Sequence, residues 1–154
     1  MQVLFAGFLL LQSLLLKTET LQHIDVIASV SAATVAKGGT VTLWADVTPK
    51  PNIHVYATDK FGFSPVSLVF GAQSRVTFGK VKYPTPEGGI SPGTDMLIPM
   101  YSKPFRLTQT ATLSPSVKSG DVITISGAVN YEACNDRLCF PATSLPVTWV
   151  VTVK

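Results

Sequence analysis

Cysteine and charge are both scarce in this sequence of 154 residues. There are two cysteines, and only 14% of the residues are charged, with twelve Lys and Arg set against nine Asp and Glu. The basic residues are scattered, whereas binding to a phosphate backbone needs a clustered basic face, so the composition argues against a nucleic-acid partner. Apolar residues make up 46% of the chain, which excludes intrinsic disorder and predicts one folded domain.

Only one long apolar run occurs, and it lies at the N-terminus. Residues 3–16 are apolar apart from Gln12 and Ser13, and a helix of this length, at about 1.5 Å per residue, is too short to span a bilayer. The length is typical of the apolar core of a secretory signal peptide, although no basic residue precedes it and no clear cleavage site follows it. We therefore expect residues 1–20 to be a signal peptide or an apolar N-terminal segment, and residues 21–154 to be an exported domain that meets a membrane only through that segment. A buried or partner-bound helix is the alternative for the apolar run.

Helical periodicity is absent after residue 20, and apolar residues instead recur with a period of two. Val122–Tyr131 has β-branched and apolar residues at both odd- and even-numbered positions, and so on both faces of a strand, which is typical of a central strand. Turn-forming Gly, Pro and Asn residues separate seven or eight such short segments. This pattern predicts an all-β fold, an immunoglobulin-like antiparallel β-sandwich. The alternating segments are 41–48, 105–113 and 145–153.

One stretch between the predicted strands is rich in turn formers. Tyr83–Pro99 holds four prolines and three glycines and is too long for a tight turn. Loops of this length in compact domains are usually functional or mobile, so we expect a functional or mobile loop here. Gly38-Gly39 and Gly88-Gly89 are predicted to be turn glycines, because neither pair has the strand-to-helix context of a nucleotide-binding loop.

The two cysteines, Cys134 and Cys139, are separated by four residues and lie between two predicted strands. This spacing predicts a β-hairpin with the sulfur atoms near its closing pair. A disulfide that closes so short a loop stabilises a fold by only about 2 kcal/mol. Stabilisation of the fold alone is therefore a poor explanation for the presence of the two cysteines.

Three chemistries fit these residues. The favoured one is a redox-active dithiol/disulfide couple, and the second is a passive hairpin disulfide in a non-catalytic, immunoglobulin-like interaction domain. The third is a metal site of both thiolates with His54 or His23, which the lack of a compact ligand spacing disfavours. The neighbouring charges do not identify the nucleophile, since Arg137 lowers the pKa of a nearby thiol whereas Glu132 and Asp136 raise it.

Residues 131–141, YEACNDRLCFP, carry a resemblance to a known family. They fit the pattern Tyr-x-x-Cys, four or five residues, a second Cys, an apolar or aromatic residue and Pro, and Gly38–Leu43 and His54–Tyr56 stand at similar offsets upstream. The pattern resembles the N-terminal periplasmic domain of the thiol:disulfide interchange protein DsbD over residues 24–154, with a spacing found in shorter, stand-alone relatives. The resemblance implies an immunoglobulin-like periplasmic domain that acts as a protein thiol-disulfide oxidoreductase module, without a metal or other cofactor.

The resemblance also implies partners. Such a domain receives reducing equivalents from a thioredoxin-like donor and passes them to periplasmic disulfide-containing proteins, such as disulfide isomerases or cytochrome-maturation proteins, through mixed disulfides. The sequence holds neither the family's membrane domain nor its thioredoxin-like domain, so we expect a stand-alone module or a fragment that depends on a separate donor.

The roles of individual residues follow from the same resemblance. Cys134 and Cys139 form the redox couple, and Cys139 is the favoured nucleophile. A cap loop is expected to shield the pair, with Met96 or Leu97 as the shielding side chain and Phe63 as another candidate. The side chains expected around the sulfur atoms are Tyr56, Tyr131, Phe140 and Pro141.

Overall fold

The computed structural model describes residues 22–91, 93 and 95–154, which form strands and one short 3₁₀ turn. The apolar run at residues 3–16, with its predicted role in export, lies outside the described residues. Within the described ranges, no helix has the length and apolar character that a membrane crossing requires. The strands are β1 (Ile24–Val30), β2 (Thr34–Val35), β3 (Thr40–Pro49), β4 (His54–Tyr56), β5 (Ser67–Phe70), β6 (Val76–Phe78), β7 (Glu87–Ile90), β8 (Leu97–Tyr101), β9 (Phe105–Leu113), β10 (Val122–Tyr131), β11 (Ala133–Cys134) and β12 (Thr143–Val153), and the 3₁₀ turn is Lys60–Gly62.

Two four-stranded sheets enclose the main core. One has the strand order β1-β3-β9-β6 and the other the order β2-β12-β10-β5. The pairings are antiparallel except for the short parallel pair of β2 with β12. Side chains of both sheets meet in one apolar cluster, to which β3 contributes Leu43, β9 Leu107, β10 Ile125 and β12 Trp149. The predicted all-β, immunoglobulin-like antiparallel sandwich is confirmed.

The alternation in the sequence explains how these strands face the core. In β3, Val41, Leu43, Ala45 and Val47 are buried, whereas the residues between them are partly exposed. The bounds of β9 and β10 coincide with the predicted segments 105–113 and 122–131, and β10 lies between two other strands as expected of a central strand.

A third sheet, of order β11-β4-β8-β7, carries the cysteines. Strand β4 pairs with β11 on one side and with β8 on the other. A second, smaller group of buried side chains lies on this sheet, and we call it the sulfur cluster because it contains one of the cysteines. Its members are Tyr56, Ile98, Met100 and Cys134.

The predicted loop over Tyr83–Pro99 is in part strand, because β7 and the first three residues of β8 pair there as an antiparallel hairpin. Gly88 and Gly89 lie inside β7 and are not turn glycines. A Cβ atom on Gly89 would lie 2.5 Å from the sulfur of Met100, so the buried Met100 side chain would have to shift to admit one. Glycine in this segment therefore serves close packing over the sulfur cluster.

Gly89→Ala is expected to destabilise the domain by about 1–3 kcal/mol, because the added methyl group collides with the buried Met100 side chain. Gly71→Ala is the matched control, since nothing lies within 4 Å of the methyl group it would add. Urea unfolding of both variants measures the difference, and equal stabilities would contradict the close approach of β7 to β8.

Candidate redox site

The cysteines lie opposite each other in a short hairpin. The N–H of Phe140 donates to the carbonyl oxygen of Ala133 at 2.8 Å, and the N–H of Asn135 donates to that of Leu138 at 3.0 Å. The side-chain oxygen of Asn135 accepts hydrogen bonds from the backbone N–H groups of Arg137 and Leu138, which closes the turn. Between these bonds the two cysteines form a disulfide with their Cα atoms 4.0 Å apart, as the predicted hairpin requires.

The two sulfur-bearing residues differ in exposure. Cys134 is fully buried in the sulfur cluster, whereas Cys139 is exposed. An incoming thiolate must reach the sulfur it attacks along the axis of the S–S bond, so access decides which sulfur reacts. Cys139 is the accessible one of the two.

Tyr56 lies directly beside the exposed sulfur. Its hydroxyl oxygen is 3.6 Å from Cys139 Sγ and is also hydrogen-bonded to the hydroxyl of Ser91. Burial raises the pKa of Tyr56, so the hydroxyl stays protonated at neutral pH. A disulfide sulfur carries no proton, and the Tyr56 hydroxyl is therefore the donor in its contact with Cys139.

Of the three candidates for the cap, Phe63 is the one that packs against the sulfur cluster. Its ring stacks on that of Tyr56 with centroids 3.7 Å apart and an angle of 17° between the planes. Met96 and Leu97 are not members of this cluster, and 44% and 72% of their surfaces are exposed. Leu97 pairs with Ile90 across the β7–β8 hairpin.

Three of the predicted neighbours belong to the other side of the hairpin. The hydroxyl of Tyr131 accepts a hydrogen bond from the N–H of His23 at 3.3 Å, and the ring of Phe140 stacks on the His23 ring at 3.8 Å. Tyr131 and Phe140 pack in or against the main core, and Pro141 is exposed. Tyr131 and Phe140 anchor the hairpin to the sandwich, whereas Tyr56 contacts a sulfur atom.

Glu132, and neither histidine, forms a group with both sulfur atoms. A carboxylate oxygen of Glu132 and both sulfur atoms lie within 4.8 Å of one another, and no histidine belongs to this group. The metal site of two thiolates with His54 or His23 is therefore not brought together in the described structure. His54 pairs with Cys134 across β4 and β11, is 8% exposed, and its Nε2 atom has no hydrogen-bond partner among the described residues.

Burial lowers the pKa of both histidines below its usual value of 6.5, with the nearby Asp136 opposing the effect at His54 and Lys50 adding to it at His23. The unfolded chain therefore binds more protons than the folded one just below pH 6.5, and the free energy of unfolding should fall as the pH drops from about 6.5.

His54→Phe removes one of these two contributions, and we expect a shallower loss of stability between neutral pH and about pH 5. His23→Phe is the parallel variant, and the double variant should give the flattest profile. Urea midpoints measured across this range test the prediction, and a double variant with the wild-type slope would contradict it.

Comparisons with known proteins place the chain among thiol-disulfide proteins. The family model described as "Thiol:disulfide interchange protein DsbD, N-terminal" matches residues 24–148. The N-terminal periplasmic domain of ScsB from Proteus mirabilis is similar in structure, with a TM-score of 0.53 and 17% identity over 81% of this chain and 46% of that one. The reduced N-terminal domain of DsbD from Neisseria meningitidis gives a TM-score of 0.41 and 10% identity over 82% of this chain and 85% of that one.

The chain thus spans about half the length of the ScsB structure, and the likeness to the solved structures concerns the fold. None of the curated proteins matches the sequence significantly. Glu132 was expected only as a local charge and Ser91 had no predicted role, because nothing along the chain signals that these side chains meet the sulfur atoms and Tyr56.

Proposed function

Because this chain belongs to the family of the N-terminal domain of the thiol:disulfide interchange protein DsbD, we propose that it relays reducing equivalents between proteins through the Cys134–Cys139 couple. The observation that carries this proposal is the pairing of one exposed cysteine with one fully buried cysteine in a single disulfide. This arrangement gives a partner one site of attack and gives the chain its own resolving thiol.

The exchange balances in two steps. A thiolate of the donor attacks Cys139 Sγ, the bond between the two sulfur atoms breaks, and Cys134 leaves as a thiolate that takes up a proton. The second thiol of the donor then attacks the mixed disulfide, releases Cys139 and leaves the donor oxidised. Two electrons and two protons have passed to this chain, and the reverse sequence passes them to the disulfide of an acceptor.

The donor we propose is a thioredoxin-like protein or domain, and the acceptors are disulfide-containing proteins of the periplasm. The family membership supports both assignments. In addition, the described residues hold no Cys-x-x-Cys pair that could reduce the disulfide, so the electrons must come from another protein or domain. The periplasm is also a compartment in which protein disulfides persist.

A passive structural disulfide is the second candidate, and the geometry of the turn weighs against it. The bond spans six residues whose turn is already closed by backbone hydrogen bonds and by the Asn135 side chain. Closing so short a loop adds only about 2 kcal/mol. A domain with a core of this size does not depend on that contribution.

The direct test mixes the oxidised chain with a stoichiometric amount of a reduced thioredoxin-like protein and counts free thiols in each after acid quenching. The proposal predicts that two thiols appear on this chain as two disappear from the donor. The variant with both cysteines replaced by alanine is the control for transfer to other groups. An unchanged donor, under conditions in which it reduces another protein disulfide, would contradict the relay.

A further inference from the structure

Glu132 and the two cysteines bring three possible metal ligands together. A carboxylate oxygen of Glu132 and the sulfur atoms of Cys134 and Cys139 lie within 4.8 Å of one another, and no other three His, Cys, Asp or Glu side chains of the described residues meet in this way. The metal site considered from the sequence has a histidine as its third ligand, whereas the structure supplies a carboxylate. Because Glu132 stands between strands β10 and β11, the hairpin that pairs the cysteines also places the carboxylate beside them.

The two sulfur atoms can reach the spacing of metal-bound thiolates once the disulfide is reduced. Two thiolates that bind a tetrahedral zinc ion, each at about 2.3 Å, are roughly 3.8 Å apart. The Cα atoms of Cys134 and Cys139 are 4.0 Å apart, and reduction frees each side chain to turn about its Cα–Cβ bond. Rotation of the side chains can therefore separate the sulfur atoms to this distance while the backbone hydrogen bonds of the hairpin stay in place.

Two of the three ligands already have a hydrogen-bond donor that orients them. The backbone N–H of Ser64 donates to Glu132 Oε2 at 2.8 Å, and the carboxylate keeps further lone pairs for a metal. The hydroxyl of Tyr56, 3.6 Å from Cys139 Sγ, donates to that sulfur. Metal ligands in proteins are generally held by such outer hydrogen bonds, whose loss weakens metal binding. Glu132 and Cys139 are therefore oriented before a metal arrives.

The combination of two thiolates with one carboxylate suits zinc. Zinc binds cysteine sulfur and carboxylate oxygen in tetrahedral sites, whereas magnesium and calcium take oxygen ligands and copper(I) gains little from a carboxylate. Cys139 is exposed and Glu132 is partly exposed, which gives the ion a route from solvent, and the buried Cys134 closes the protein side of the site. Three protein ligands leave the fourth position of a zinc ion to water.

We propose that the reduced chain binds one zinc ion through Cys134, Cys139 and Glu132. Binding replaces two S–H bonds with two Zn–S bonds and releases two protons to solvent, and neither sulfur nor zinc changes its oxidation state. The disulfide offers no thiolate, so the oxidised chain does not form the site. A zinc ion held there occupies both thiolates, and it therefore blocks the exchange proposed above and protects the pair from oxidation.

Zinc binding is measured on the isolated chain in both redox states. The reduced chain, freed of reductant and oxygen, is titrated with zinc in competition with a chromophoric chelator, and the oxidised chain is treated in the same way. The reduced chain should bind one equivalent at least about a hundredfold more tightly than the oxidised chain, because the disulfide removes both sulfur ligands. Cobalt(II) in place of zinc should give the near-ultraviolet absorption of thiolate-to-metal charge transfer, which reports that sulfur binds the metal.

Glu132→Gln tests the carboxylate as a ligand. The amide still accepts a hydrogen bond from Ser64, but its neutral oxygen is a weak zinc ligand, so the affinity for zinc should fall by about tenfold or more. Asp136→Asn is the matched control, since it removes the same charge from the exposed turn of the hairpin, and its affinity should stay within about threefold of that of the parent chain. Thermal unfolding of the oxidised forms checks that both variants are folded.

Two results overturn this inference. A reduced chain that binds zinc no more tightly than the oxidised chain would exclude the cysteine site, and equal losses of affinity in Glu132→Gln and Asp136→Asn would exclude Glu132 as a ligand. These measurements need no partner protein, so they stand apart from the relay. A chain that binds zinc but fails to exchange with a thioredoxin-like donor would contradict the proposed function and leave the zinc site intact.

Discussion

Cys134→Ser is expected to trap a thioredoxin-like partner as a stable mixed disulfide, whereas Cys139→Ser is expected to trap almost none. Cys139 is exposed and Cys134 is fully buried, so a partner forms its bond with Cys139 and only Cys134 is placed to break it. Loss of the attacking group should reduce the rate of trapping on the order of a hundredfold or more.

The measurement is non-reducing electrophoresis or intact mass after mixing each reduced variant with an oxidised thioredoxin-like protein. Both variants lack the disulfide and therefore lose the same contribution to stability. Each variant is thus the control for the other. Equal trapping by the two variants, or stronger trapping by Cys139→Ser, would show that the exposed sulfur is not the one that reacts.

Phe63→Ala is expected to speed reduction of the disulfide by a small thiol such as dithiothreitol. The Phe63 ring stacks on Tyr56, whose hydroxyl touches Cys139 Sγ, and an aromatic pair contributes about 0.5–1.5 kcal/mol beyond its buried area. Loss of that contribution shifts the segment of residues 57–66 toward an open form, and the rate of reduction should rise about threefold to tenfold.

Phe61→Ala provides the matched control for this experiment. Phe61 lies two residues away in the same segment, is 59% exposed and makes no ring contact among the described residues. Its φ of 67° lies in the left-handed region, and alanine bears the same backbone cost there. A rate increase in Phe61→Ala equal to that in Phe63→Ala would mean that a general loosening of the segment, and not the Phe63 ring, controls access.

The sequence predicted the parts of the structure that depend on local pattern. The bounds of β9 and β10 follow from strict alternation and from a β-branched run, and both are decided within ten residues of chain. The hairpin at Cys134 and Cys139 follows from the four residues between them, because so short a segment between two predicted strands is typical of a chain reversal.

The parts that the sequence did not predict depend on contacts between distant segments. Gly88 and Gly89 look like turn residues, and only the neighbouring Met100 side chain shows why a strand needs them. Likewise, the burial of Cys134 arises from packing of the third sheet, because along the chain Cys139, between Leu138 and Phe140, has the more apolar neighbours and is nevertheless the exposed one.

The same limit applies to the side chains of the site. Tyr56 was expected near the sulfur atoms from the family resemblance, and its hydroxyl oxygen lies 3.6 Å from Cys139 Sγ. Glu132 reaches Ser64 across 68 positions of sequence, a pairing that no periodicity or motif encodes.

The reduction potential of the Cys134–Cys139 pair is the sharpest test of the proposed exchange of electrons with partner proteins. The chain is equilibrated against a graded series of glutathione or dithiothreitol redox buffers, and the oxidised fraction is read by alkylation and mass. A couple that relays electrons should have a potential in the range of working oxidoreductases, about −120 to −270 mV. A potential below about −300 mV would mark a structural disulfide and contradict the relay.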